Sequence, residues 1–260
     1  MRGIQLFRPG EHVKLMCIGA HADDIEIGAG GAILSWLQAG VRLDVHWCVG
    51  SATEERRLEA CKSASGFLCG AESRFLHFGE LRDGYFPYDG VAAKDWVESL
   101  KAIQPDLILT HYHKDAHQDH RLISDLTWNT FRDHQILEYE IPKWDGDTGR
   151  PNFYVGLTSD VVDRKLALLR ENFPSQLSRP WFEDDTFRGL ARIRGMEAGV
   201  PERFAEGFYL RKFVFSAPVA AADSFSPPEL PAFRLGSRPT HRGLPMKALD
   251  AARNLVSSTG

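Results

Sequence analysis

The chain has 260 residues, 43% of them hydrophobic, enough to bury one large core or two small ones. Its 31 basic residues against 35 acidic ones leave a net charge of −4 without a basic patch, which argues against a nucleic-acid partner. No apolar run approaches the roughly 18 residues a membrane span needs, and the N-terminal residues lack the apolar stretch and small-residue cleavage site of a signal peptide, so a cytoplasmic protein without a membrane partner is expected.

In chain order, strands and helices alternate. Val13 to Ile18 is predicted as the first strand, Glu26 to Gln38 as a helix ended by Gly40, and Val41 to Val49 as the second strand. Thr53 to Leu68 is predicted as a helix in which Thr53 caps, Glu54 and Glu55 sit at the positive end and Arg56 stands where a capping box has Glu. Arg74 to Phe78 is a third strand, Ala92 to Ile103 an amphipathic helix closed by Pro105, and Asp106 to Thr110 a fourth strand. Gln118 to Phe131 is a helix and Gln135 to Ile141 a fifth strand. Such alternation implies right-handed crossovers and a mainly parallel sheet. Beyond residue 142 the rhythm loosens: Asn152 to Leu157 as a strand, Ser159 to Asn172 and Asp185 to Ala198 as helices, Phe208 to Phe215 as a late strand. Pro218, Pro227, Pro228, Pro231, Pro239 and Pro245 then crowd an arm without a packed core, followed by a short helix over Met246 to Val256. Cys17, Cys48, Cys61 and Cys69 form no C-x-x-C pair and read as reduced thiols.

Two clusters of ligand-type side chains follow predicted strands. Ala20-His21-Ala22-Asp23-Asp24 follows the first, and His111-Tyr112-His113-Lys114-Asp115-Ala116-His117-Gln118-Asp119-His120 ends and follows the fourth. In an open α/β sheet both would overhang the edge where the strands' carboxyl ends form a crevice. Mixed imidazole and carboxylate donors suit zinc or a similar divalent ion. A tight turn can aim His21 and Asp24 at one ion and leave Asp23 to take a proton; helix capping explains one aspartate but not the histidine. In the second cluster His117 and His120 share a helical face, so one can ligate while the other stays protonatable, although His111 and His113 fit the spacing as well. Asp119 could bond the free histidine and fix its tautomer. Gly28-Ala29-Gly30-Gly31 suggests a dinucleotide loop, but Ile33 stands where the third glycine is needed and the ribose-type acid, Asp44, lies inside a strand.

The two loops resemble those of the PIG-L (LmbE-like) family of zinc-dependent N-deacetylases, whose A-H-P-D-D and H-x-D-H motifs appear here as residues 20–24 and 117–120. Residues 25–31 resemble the family's glycine-rich helix start, and Arg56 and Glu59 its R-x-x-E pattern; the likeness runs over residues 13–215. The resemblance implies a zinc ion held by His21, Asp24 and His120, Asp23 as general base, and His117 as general acid or oxyanion stabiliser oriented by Asp119. It implies Arg56 as a contact to substrate or oxyanion. Ala22 departs from the family's proline, which loosens the turn but removes no ligand. Asp115 matches a carboxylate of the family's second loop, and Glu26 is assigned to the helix N-terminus. Tyr85 and Trp144, in loops near the same edge, either pack those loops or stack on a sugar ring.

The expected fold is α/β, a Rossmann-like three-layer sandwich with a mainly parallel sheet, with one deacetylase domain over residues 1–215 and a proline-rich arm over 216–260. The expected function is removal of an N-acetyl or other N-acyl group from an amino-sugar small molecule, releasing acetate and an amine. The alternatives are an amidase acting on a thiol-glycoside conjugate and a non-catalytic metal-containing binding protein, against which Asp23 and His117 argue. A homo-oligomer is compatible with the sequence.

Overall fold

The computed structural model describes residues 3–215; the proline-rich arm and the helix expected over Met246 to Val256 lie outside the described residues. Seven strands, β1 (His12–Gly19), β2 (Arg42–Val49), β3 (Ser73–Phe78), β4 (Leu107–His111), β5 (Gln135–Tyr139), β6 (Phe153–Leu157) and β7 (Phe204–Tyr209), form one sheet in the order β3-β2-β1-β4-β5-β7-β6. The first five strands are parallel, and β7 runs antiparallel to both β5 and β6. The sheet is therefore mainly parallel, as expected, with a two-strand antiparallel extension that the loosened rhythm after residue 142 did not specify.

Helices α1 (Asp24–Gln38), α2 (Glu54–Phe67), α5 (Ser159–Asn172) and α6 (Asp184–Ala198) cover one face, while α3 (Gly90–Ser99) and α4 (Gln118–Thr130) cover the other. Odd-numbered β1 residues (Val13, Leu15, Cys17) enter the larger core and even-numbered ones (Met16, Ile18) the smaller. This is the two-residue period of a strand buried on both faces. The α2 cap is as expected, since Thr53 Oγ1 accepts from Arg56 N–H at 3.3 Å. The last strand is not: it begins at Phe204 and ends at Tyr209, so the predicted Phe208 to Phe215 is displaced toward the C-terminus. Polar Glu206 hid it, because a buried lysine, Lys165, neutralises that carboxylate at 2.7 Å.

The glycine run has a packing explanation. A Cβ on Gly28 would enter the ring of Tyr139, and one on Gly30 would strike Phe67. These positions let α1 approach β5 and α2 closely, which is what glycine is for at such contacts. All four cysteines are free, with Cys17 and Cys48 buried. Among the described residues, no helix is long and apolar enough to cross a membrane.

Candidate metal centre

Strand order reverses between β1 and β4, and the segments that follow these two neighbours carry the two clusters. His21 Nδ1 lies 3.2 Å from His120 Nε2 and 3.3 Å from Asp24 Oδ2, and His120 Nε2 lies 3.4 Å from Asp24 Oδ1. Tetrahedral zinc with bonds of about 2.0–2.1 Å sets its ligand atoms about 3.3 Å apart, so each pairwise distance is of that size, with Asp24 facing the two rings through different oxygens.

The other histidines crowd the same spot. His117 joins His21 and His120 in one compact group of donors, and His111 joins Asp24 and His120 in another. Tautomers separate them. A ring nitrogen can ligate only if its lone pair is free and the proton sits on the other nitrogen. His120 Nδ1 faces Asp115 Oδ2 at 3.0 Å, and His21 Nε2 faces Asp83 Oδ1 at 3.1 Å and Asp119 Oδ2 at 3.4 Å. Those carboxylates take the ring protons and leave His120 Nε2 and His21 Nδ1 with lone pairs aimed at one another. His111 is opposite: its Nε2 accepts from Ala20 N–H at 2.9 Å. His117 Nδ1 accepts from Asp119 N–H at 3.3 Å, which leaves the proton of a neutral ring on Nε2, as a donor. His113 is outside the cluster, with its Nδ1 2.8 Å from Glu138 Oε2.

Charge points the same way. Burial alone would lower the His21 pKa, but Asp24 and bonds to Asp119, Asp24 and Asp83 raise it well above the ordinary value. The site thus draws a positive charge to the spot where an ion would sit. Burial, then His111, push His120 down to about 3, leaving it neutral and able to ligate. Burial opposes ionisation of Asp24, yet His120, His111 and His21 hold its pKa well below the usual carboxylate range.

Asp23 occupies the N-cap position of α1 without making a side-chain cap bond, so capping does not account for it. Its Oδ1 pairs with Arg56 Nη2 at 2.8 Å. Burial raises its pKa; Arg56 opposes this and Asp24 reinforces it, leaving a stronger base than an ordinary carboxylate.

Residues 16–131 match the family model described as PIG-L: GlcNAc-PI de-N-acetylase. A diacetylchitobiose deacetylase of Thermococcus kodakarensis is 26% identical over 225 residues, covering 75% of this chain and 81% of that one. The crystal structure of N,N'-diacetylchitobiose deacetylase from Pyrococcus horikoshii superposes with a TM-score of 0.58 at 24% identity, over 76% of this chain and 83% of that one. GalB, the 4-carboxy-2-hydroxymuconate hydratase of Pseudomonas putida KT2440, superposes with a TM-score of 0.61 at 18% identity, over 80% of this chain and all of that one. The last two likenesses concern the fold alone.

Three residues sit differently from the expectation. The Asp119 carboxylate does not reach His117: its Oδ2 accepts from Gly84 N–H at 2.7 Å and its Oδ1 from Phe86 N–H at 3.1 Å. It anchors the loop after β3 and faces His21 instead. The Arg56 guanidinium is taken up by Asp23 at 2.8 Å, by Glu59 at 2.9 Å and by Ser175 at 3.2 Å, so its bonds run to these side chains. Glu26 is wholly buried with both oxygens unpartnered, and burial pushes it up to about 8, so it is neutral rather than a charge at the helix end.

Asp115 and Asp83 carry roles that the sequence alone does not reveal. Asp115 Oδ2 orients His120, while its Oδ1 accepts from His117 N–H at 2.7 Å and pairs with Lys143 Nζ at 2.9 Å. Asp115 lies inside the second cluster, where its spacing from His120 was the available signal. Asp83 is 62 residues from His21 in the chain, and only the fold joins them.

Proposed function

We propose that this chain is a divalent-metal-dependent hydrolase, with zinc the favoured ion, that removes an N-acetyl group from an amino-sugar-containing small molecule. The observation that carries the reading is the convergence of His21 Nδ1, Asp24 and His120 Nε2 with an adjacent carboxylate, Asp23, that belongs to no other ligand group. The diacetylchitobiose deacetylase relative supports the substrate class.

His21, Asp24 and His120 would hold the ion, leaving a coordination position for water as catalytic sites require. When bound, such an ion lowers the pKa of a water toward ~7 and polarises an amide carbonyl. Asp23 takes the water's proton on Oδ2, because Arg56 occupies Oδ1. Arg56 also fixes the carboxylate's orientation, while burial keeps it basic. His117 presents Nε2–H to the carbonyl oxygen as negative charge develops there. Its lowered pKa, set by burial and then by His21, keeps it a neutral donor. As its proton leaves, the water oxygen bonds to the carbonyl carbon; Asp23 then returns that proton to the departing amine nitrogen, and the C–N bond breaks to give acetate and a free amine.

The test is acetate release from N-acetylglucosamine and its glycosides. Activity should vanish on chelation and return with one equivalent of zinc per chain. Full activity in protein stripped of all metal overturns the reading, as does the absence of acetate from every N-acetylated glycoside tried with metal-loaded protein.

A further inference from the structure

The loop between β3 and α3 is tied to the metal centre at several points. Asp83 Oδ1 lies 3.1 Å from His21 Nε2, and Gly84 and Phe86 both donate backbone N–H bonds to Asp119. Gln118 Nε2–H donates to Gly84 O at 2.5 Å. Tyr85 stands between the two bonded amides, so its backbone is fixed two residues from a contact to His21.

Its side chain meets neighbours of the same loop but is not buried by them. Tyr85 is 44% exposed, whereas the next residue, Phe86, is buried. The Arg82 guanidinium lies 3.6 Å from the Tyr85 ring centroid, covering one face. Tyr88, 78% exposed, continues the surface with its ring 6.0 Å away at a 60° tilt. Neither phenol hydroxyl has a partner among the described residues. A ring with a pinned backbone and a cation on its back loses little freedom when something stacks on its front. A pyranose offers a suitable partner, because its face of C–H bonds is apolar while its edge is polar. Aromatic side chains with a polar tip suit ligands of that mixed character.

We propose that Tyr85, backed by Arg82 and continued by Tyr88, is a stacking subsite for a second pyranose ring beside the one that loses its acetyl group. The preferred substrate class is then an N-acetylated di- or oligosaccharide rather than a free monosaccharide. This rests on the deacetylase reading above and adds to it a specificity-determining residue.

The test compares kcat/KM for N-acetylglucosamine and N,N'-diacetylchitobiose in zinc-loaded wild type, Tyr85→Ala, Tyr85→Leu and Tyr85→Trp. Wild type should favour the disaccharide. Tyr85→Ala should cut that preference about tenfold, the scale of one aromatic contact. Tyr85→Leu, which keeps apolar bulk without a flat face, should do the same if the alanine variant folds poorly. Tyr85→Trp should retain the preference. In metal-free Tyr85→Trp, chitobiose should shift the fluorescence of the new indole relative to wild type, a readout that needs no turnover. A disaccharide preference unchanged by both Tyr85→Ala and Tyr85→Leu overturns the subsite and leaves the deacetylase reading standing. Wild-type protein that releases acetate from neither sugar overturns the deacetylase reading for these substrates, and the subsite with it.

Discussion

Each histidine of the site is defined by what its two ring nitrogens face. Asp115 and Asp83 take the outer protons of His120 and His21, while backbone amides fill Nδ1 of His117 and Nε2 of His111. The ligand-type residues were legible in the sequence because they cluster; their roles were not, because tautomers depend on partners brought in by other loops. Asp115 is the clearest case, since its salt bridge to Lys143 comes from the loop after β5. Carboxylates behind metal-bound histidines raise ligand basicity, so Asp115→Asn should weaken zinc affinity about 10–100-fold in chelator competition. Unchanged affinity would show that Asp115 does not act through His120. Asp23 makes the opposite prediction. With Asp23 proposed as a base outside the ligand set, Asp23→Asn should lower kcat about 10²–10⁴-fold while keeping one zinc per chain by elemental analysis. Loss of the metal would move Asp23 into the ligand set.

At the scale of elements, strands and helices that carry strong apolar periods were readable to within a few residues. α5 matches its expected span, and α1 extends its span by two residues, because Asp24 is helical as well as turned toward the site. β7 was misplaced because Glu206 is an acid inside a core strand, and sequence pattern carries no sign of the lysine that neutralises it. The glycine run of α1 was readable as unusual but not as packing. Gly28 separates the two explanations, since a side chain there must displace the Tyr139 ring, whose hydroxyl donates to Ile18 O at 2.7 Å. Gly28→Ala should therefore cost about 1–3 kcal/mol in urea unfolding, as overpacking does. Wild-type stability would mean that α1 does not approach β5 so closely.

Across the whole molecule, the site exists because the sheet changes direction. β1 has β2 on one side and β4 on the other, so chain segments almost a hundred residues apart in sequence meet over the gap between β1 and β4. The alternation of strands and helices was enough to anticipate that meeting, because parallel crossovers place all carboxyl ends on one edge. It places the loop after β3 near the same edge but could not anticipate the contact of Asp83 with His21, since loop paths follow no period. Nor does the fold fix the chemistry, given that a hydratase shares it. Everything chemical depends on which donors surround the ion. The most direct measurement is a crystal structure of zinc-loaded protein with anomalous data at the zinc edge. The expected result is one peak bonded to His21 Nδ1, an Asp24 oxygen and His120 Nε2, with His111 and His117 unligated. A peak bonded to His111 or His117, or none between residues 21 and 120, would contradict it.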